Sequence, residues 1–203
     1  MDKVDKALKI INYTKTTKNS YAGPKCESGY HSFELGGKRY TGTRDNVSRI
    51  EAIKGFDFAD KVVLDIGCNM GGMLHVLSDT IKYGVGIDFS PKCINAANVV
   101  KDLNGKNNVN FYVFDLDKEA LDLIDGYVLE EEVDICMFLA IAMHIKKWKE
   151  VIEYCYAKCD TLLFESNGKQ HQQEAQIKFI ESLYNKVTYL SSDKRRKMYL
   201  CEM

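Results

Sequence analysis

Proline is scarce: Pro24 and Pro91 are the only two in 203 residues, which leaves no room for a Pro-rich linker or tail. Long apolar runs are missing too. The longest, residues 135–143, has nine members, whereas a bilayer span needs about 20, so no membrane contact is expected. The N-terminal residues interleave charge with apolar side chains and lack the apolar core of a signal peptide. Nor is one sign of charge in excess. With 28 basic and 29 acidic residues the formal charge is −1, which excludes a general polyanion binder and leaves only a local basic patch. A hydrophobic share of 45% and a charged share of 28% exclude a disordered or fibrous chain. The length is that of one ordinary domain.

Cysteine is present seven times, an odd count with no C-x-x-C. The spacing fits neither a disulfide framework nor a zinc knuckle. Several of these residues stand in apolar runs, where a free thiol acts as a small hydrophobe, and a reducing, cytoplasmic setting is expected. Cys155 and Cys159 lie four apart with no His or carboxylate to complete a ligand set, so no metal is expected.

Along the chain, residues 2–12 place Val4, Leu8 and Ile11 on one helical face. Residues 13–29 are polar and Gly-containing and read as a loop. Gly36-Gly37 sits between two short alternating segments and reads as a hairpin turn. Asp45 is placed to cap a helix near 46–54 that turns Val47, Ile50 and Ile53 inward. From residue 61 the pattern is regular. Strands are expected at 61–66, 84–88, 109–114, 133–139, 160–165, 186–190 and 197–202, with helices near 71–81, 91–103, 117–125, 145–158 and 171–184. Such alternation means a Rossmann-like α/β fold: a seven-stranded, mostly parallel sheet with helices on both faces. The closing hairpin makes the C-terminal strand antiparallel. Two parts follow: an N-terminal extension over 1–55, of helix, loop, hairpin and helix, and a core domain over 56–203.

Chemistry concentrates in VVLDIGCNMGGM, residues 62–73. A buried strand ends near Asp65, a Gly-rich turn follows, and a helix begins near Gly71. In an open α/β sheet the ligand crevice lies beyond the carboxyl ends of the strands. Gly67 and Gly71 let the backbone approach a ligand, although a plain βα turn favours the same residues. Asp88, 21 residues after Gly67, ends the second strand and suits a ribose diol. Phe89 beside it could cover a purine. Asp115 ends the third strand, where it could read an adenine edge. Each acidic residue alone could equally be a helix cap. Together they place three carboxylates at one end of the sheet. A nicotinamide dinucleotide fingerprint, G-x-G-x-x-G, is not met, because Asn69 holds the place of its second glycine.

With these residues the chain resembles the class I S-adenosylmethionine-dependent methyltransferases over about residues 60–203. The resemblance implies that Asp65, Gly67, Cys68, Asn69 and Gly71 line the methionine part of S-adenosylmethionine, with S-adenosylhomocysteine as product. It implies ribose contact by Asp88, adenine contact by Phe89, Asp115 and Leu116, and a cofactor-lining place for Leu139. Asn69 stands where many members carry another glycine.

The fourth strand and its loop, VDICMFLAIAMHIKKW, lack both the Asn/Asp-Pro-Pro-aromatic signature and the Pro-Cys dipeptide of DNA base methyltransferases. DNA is therefore not an expected acceptor. The stretch is similar to the apolar run ending in His of many small-molecule and some tRNA-modifying members. His144 is the candidate general base, as its ordinary pKa lies near neutrality; packing at a helix start is the other reading. Glu165 and Asn167 end the fifth strand, Glu165 as a second catalytic candidate and Asn167 as a substrate ligand, with turn formation as the alternative. Upstream, Arg44 could take the cofactor carboxylate, and Tyr40 and Arg49 the substrate; an exposed turn would show the same residues. The basic run at 194–197 is either solvated or a phosphate contact. The reading is methyl transfer to an O or N atom of a small-molecule acceptor. RNA, including tRNA, is one alternative, and a non-catalytic cofactor-binding subunit is the other.

Overall fold

A computed structural model of the chain describes residues 2–14, 26–128, 132–193 and 195–203. Most of the loop expected at 13–29, and Lys194 of the basic run, lie outside the described residues. Helix α1 (Lys3–Thr14) buries Ala7, Ile11 and Thr14, with Val4 and Leu8 half-buried along the same cluster. The expected hairpin forms as β1 (Phe33–Leu35) and β2 (Lys38–Tyr40), antiparallel about Gly36-Gly37. Helix α2 (Asn46–Glu51) is capped by Asp45, whose side chain accepts from the Val47 N–H. It is one turn shorter than expected and its inward face differs. Asn46 is buried while Val47 is 38% exposed, because Ile53 reaches the core only after the helix has ended.

The core alternates β3 (Val62–Ile66), α3 (Gly72–Leu77), β4 (Tyr83–Asp88), α4 (Pro91–Leu103) and β5 (Val109–Val113). A short 3-10 turn at Leu121–Ile124 then leads into α5 (Asp125–Val128), followed by β6 (Ile135–Leu139), α6 (Trp148–Lys158), β7 (Thr161–Glu165) and α7 (Gln170–Glu181). The chain closes with β8 (Lys186–Asp193) and β9 (Arg196–Glu202). Sheet order is β5-β4-β3-β6-β7-β9-β8. All pairs are parallel except those of β9, which runs against both β7 and β8.

Alternate residues of the central strands face opposite ways. Leu64, Ile66, Phe138 and Phe164 pack with Val151, Ile152 and Ile180 of α6 and α7. Val63, Met137 and Leu163 pack with Met73, Leu74, Ile94 and Ala97 of α3 and α4. Each such fully buried side chain is worth about 1.5–3 kcal/mol of transfer free energy, so the sheet is a rigid frame for whatever stands at its edge. All seven cysteines are free thiols. No helix among the described residues is long and apolar enough to cross a membrane.

Three differences bear on the site. α3 stops at Leu77 rather than near 81. The helix expected from 117 is displaced because short acidic side chains capture the backbone there. Asp115 accepts from the Asp117 N–H, and Asp117 accepts from the N–H groups of Lys146 and Lys147. α6 begins at Trp148 because Ala142–His144 form a 3-10 turn instead.

Candidate active site

The chain runs outward from β3 to β5, returns past β3 to β6, and continues outward to β7. The switch between β3 and β6 opens a crevice beyond the carboxyl ends of the strands. Residues after β3, β4 and β5 form its left half. Residues after β6 and β7, with those before the antiparallel β9, form its right half.

On the left, the turn after β3 is folded on itself. The N–H groups of Gly67 and Cys68 both donate to the Ile87 carbonyl, and that of Gly71 to the Cys68 carbonyl. Gly67 and Gly71 have φ of 79° and 70°, the left-handed region that disfavours a Cβ. A Cβ on Gly71 would lie 2.3 Å from the Phe111 ring. Asn69, also left-handed at φ 54°, turns its side chain onto the Met70 N–H, 2.9 Å away. The Gly72 N–H donates to His31 Nδ1 at 3.1 Å. The N–H groups that would cradle a pyrophosphate are thus spent inside the protein, which disfavours a dinucleotide.

Asp88 is held at the carboxyl end of β4. Its Oδ2 accepts from the Asn69 N–H at 3.0 Å and its Oδ1 from the Ser90 N–H at 2.9 Å. Ser90, not Asp88, caps α4. Each carboxylate oxygen keeps a further lone pair for a hydroxyl donor. Burial raises the Asp88 pKa, and the two backbone donors oppose it. Phe89 beside it is 61% exposed and offers a flat apolar face. β5 stops at Val113, so Asp115 lies past the strand in the loop. Its carboxylate meets Lys118 and is held below its ordinary pKa chiefly by that contact. Its N–H is given to Glu119. Leu116 and Leu139 are buried just past β5 and at the end of β6.

One expectation on this side is corrected in detail. Cys68 turns its thiol inward, where its Sγ and Cβ stand within 3.0 Å of where a Gly86 Cβ would lie. Only its backbone borders the turn. Asp65 is 2% exposed, and its pKa rises to about 7 through burial, with Arg49 opposing and Asp88 adding.

On the right, Ala140 adopts φ 61°, an uncommon conformation for a residue with a Cβ. It is pinned by its N–H on the Glu165 carbonyl and by the Asn167 amide on its own carbonyl at 2.7 Å. Asn167 also accepts from the Met143 N–H, and its backbone exchanges two hydrogen bonds with buried Gln176. Asn167, expected as a substrate ligand, is therefore occupied as a clamp on the loop that presents His144. His144 itself is exposed. Its partial burial, and then Arg196, lower its pKa, which keeps the imidazole neutral near pH 7.

Side chains from before β3 pair with the ends of β7 and β8. Arg49 Nη2 lies 2.6 Å from Glu165 Oε2, with the Glu165 side chain buried and that of Arg49 nearly so, so each satisfies the other. Glu165 is accordingly an ion-pair partner rather than an unengaged base. Arg44 is 6% exposed and pairs with Asp193, and its Nε donates to the Tyr30 hydroxyl at 3.4 Å. Tyr40 is not brought to the crevice. It packs on the cluster of Ile11 and Leu35, with Lys38 over its ring. Sequence reasoning missed Tyr30, His31 and Gln176, and marked Arg196 only as one member of the basic run at 194–197. A polar pair such as Tyr30-His31 before an alternating segment was the one available hint. A separate cavity of about 380 Å³ lies between the hairpin, α2 and α3, and contains none of the expected site residues.

The sequence model of the methyltransferase domain matches residues 57–197. The chain belongs to the methyltransferase-domain family. Among solved structures, the N-terminal domain of EvdMO1 with bound S-adenosylhomocysteine is similar at 12% identity, with a TM-score of 0.69 over 100% of this chain and 97% of that one. An rRNA methylase from Streptococcus thermophilus gives 0.57 at 12% identity, over 72% and 90%. Magnesium protoporphyrin IX methyltransferase from Synechocystis PCC 6803, with bound S-adenosylmethionine, gives 0.55 at 16% identity, over 77% and 74%. These likenesses show the Rossmann-like methyltransferase fold. Among curated proteins, none matches this chain.

Proposed function

We propose that this methyltransferase moves a methyl group from S-adenosylmethionine to an O or N atom of a small-molecule acceptor. The observation that carries the reading is Asp88. A buried carboxylate is fixed by two backbone donors at the end of β4, with the exposed Phe89 ring next to it. That pair fits a nucleoside whose diol binds the carboxylate and whose base lies on the ring. Asp65, Gly67, Asn69 and Gly71 would hold the amino-acid end, Leu116 and Leu139 the apolar middle. The Asp115 carboxylate would take the exocyclic amine of the base.

The cofactor supplies an electrophilic methyl on a sulfonium, with its leaving group built in. The protein's own task is alignment and, where the acceptor needs it, proton removal. His144 would serve both, on a loop stiffened by Asn167, with its pKa lowered by partial burial and then by Arg196. The N-terminal 55 residues cover the site in this reading. Tyr30, Arg44 and Arg49 reach the right half through contacts with Arg196, Asp193 and Glu165. Seven free thiols suit a reducing compartment, the cytoplasm.

Incubation with labelled S-adenosylmethionine and fractionated metabolite or RNA pools tests the proposal. Label transferred to a metabolite fraction, lost by about a hundredfold or more in His144→Ala, supports it. Label found in RNA, with binding that weakens steeply as salt rises, would make RNA the acceptor instead. No transfer to any pool by a cofactor-binding protein would make this a non-catalytic subunit.

A further inference from the structure

The right half of the crevice holds more positive charge than it neutralises. Arg196, at the start of β9, lies beyond the carboxyl end of β7, because Glu165 pairs in register with Met198. Its cross-strand partner is Asp193. The Asp193 carboxylate, however, pairs with Arg44. That carboxylate is thus taken by Arg44, and among the described residues Arg196 forms no ion pair. Its Nη1 donates to the Tyr30 hydroxyl at 3.2 Å, and Arg44 Nε donates to the same oxygen at 3.4 Å. Arg49 and Glu165 cancel separately. His144 does not add charge, since its neutral form is favoured.

A half-buried guanidinium held at a neutral hydroxyl lacks the anion that would offset its desolvation. Its planar fork matches a two-oxygen anion. It also stands beside the candidate base and across the switch point from Asp88. We propose that the acceptor carries an anionic oxygen group, a carboxylate or a phosphate, which Arg196 takes beside the Tyr30 hydroxyl. This deepens the methyl-transfer reading and rests on it for the word acceptor. The anion fixes the acceptor's orientation, so that its nucleophilic atom, and not another, meets the methyl group.

The test is calorimetric titration of the whole protein, with and without saturating S-adenosylhomocysteine, using inorganic phosphate and then acetate. Wild type should bind at least one of them saturably, and the stronger of the two identifies the group. Arg196→Gln should weaken that binding about tenfold or more, and Arg196→Lys should keep most of it. Both variants should bind S-adenosylhomocysteine within about threefold of wild type. Binding of neither anion overturns the proposal, as does equal binding by Arg196→Gln. Parallel loss of S-adenosylhomocysteine affinity also overturns it, because the guanidinium would then serve the cofactor's carboxylate. If wild type takes phosphate through Arg196 but no S-adenosylhomocysteine, the anion site stands and the methyl-transfer reading falls.

Discussion

Arg49 and Glu165 are 116 residues apart in sequence and form a largely buried ion pair, guanidinium to carboxylate at 2.6 Å, with Glu165 the buried partner. The pair joins the extension to the end of β7. Asp65 lies close enough for Arg49 to oppose the rise in its pKa.

Breaking such a pair from one side leaves a buried charge uncompensated. Arg49→Met should therefore cost about 3–5 kcal/mol of stability, read from urea unfolding. The double change Arg49→Met with Glu165→Leu should recover most of that loss. Equal costs for the single and double variants would show that the two charges do not act as a pair.

The turn after β3 should be intolerant of a methyl group. Gly71→Ala combines left-handed φ with a contact on Phe111, and should cost about 2–4 kcal/mol. Because the strain is stored where the turn meets α3, S-adenosylhomocysteine affinity should fall with it. Gly105→Ala is the control: it shares a positive φ but has open space around the new Cβ, so it should cost less and leave affinity alone.

Acid stability should depend on a histidine outside the crevice. His75 has buried ring nitrogens and stands against Phe33 and Phe111. Burial, with smaller contributions from Lys106 and Lys101, holds its pKa down to about 3. Unfolded, it titrates near 6.5. Between those values the unfolded chain binds the proton and the folded chain does not. Its contribution is complete above about pH 6.5 and is lost as pH falls. From pH 6.5 to 4.5 the loss is roughly 2–3 kcal/mol. His31, also lowered by burial, adds in the same sense. Asp65, raised to about 7, acts oppositely, gaining a proton in the folded state over this window. Unfolding of His75→Phe and wild type across pH 4.5–7 isolates the His75 share. A difference between the two proteins that does not change with pH would contradict it.

Much of this molecule was legible before its structure. The βα alternation from residue 61, the hairpin at Gly36-Gly37 and the antiparallel last strand follow from periodicity and turn chemistry, which are local. The crevice position of Asp88 follows from its place at a strand end. What was not legible is non-local or set by competition. Tyr30 and Arg196 meet across 166 residues, and nothing in either neighbourhood marks the other. Val47 was assigned inward from helical spacing, but a six-residue helix is too short for spacing to decide its face, and Asn46 took the core. The resemblance puts Cys68 with the cofactor along with its neighbours. The alternating left-handed residues Gly67 and Asn69 turn its thiol away. Asn167 reads as a site ligand in sequence, and only the Ala140 and Met143 contacts show it to be a clamp.

The most direct measurement of the central claim is calorimetric titration of the purified, ligand-free protein with S-adenosylhomocysteine, wild type beside Asp88→Ala. Circular dichroism would establish that both are folded. The account predicts saturable binding near one equivalent, weakened about tenfold or more by the substitution, since a charged group held by two donors and facing a diol is lost. A folded wild type that takes no S-adenosylhomocysteine, or an Asp88→Ala variant that binds it as tightly, would contradict the account.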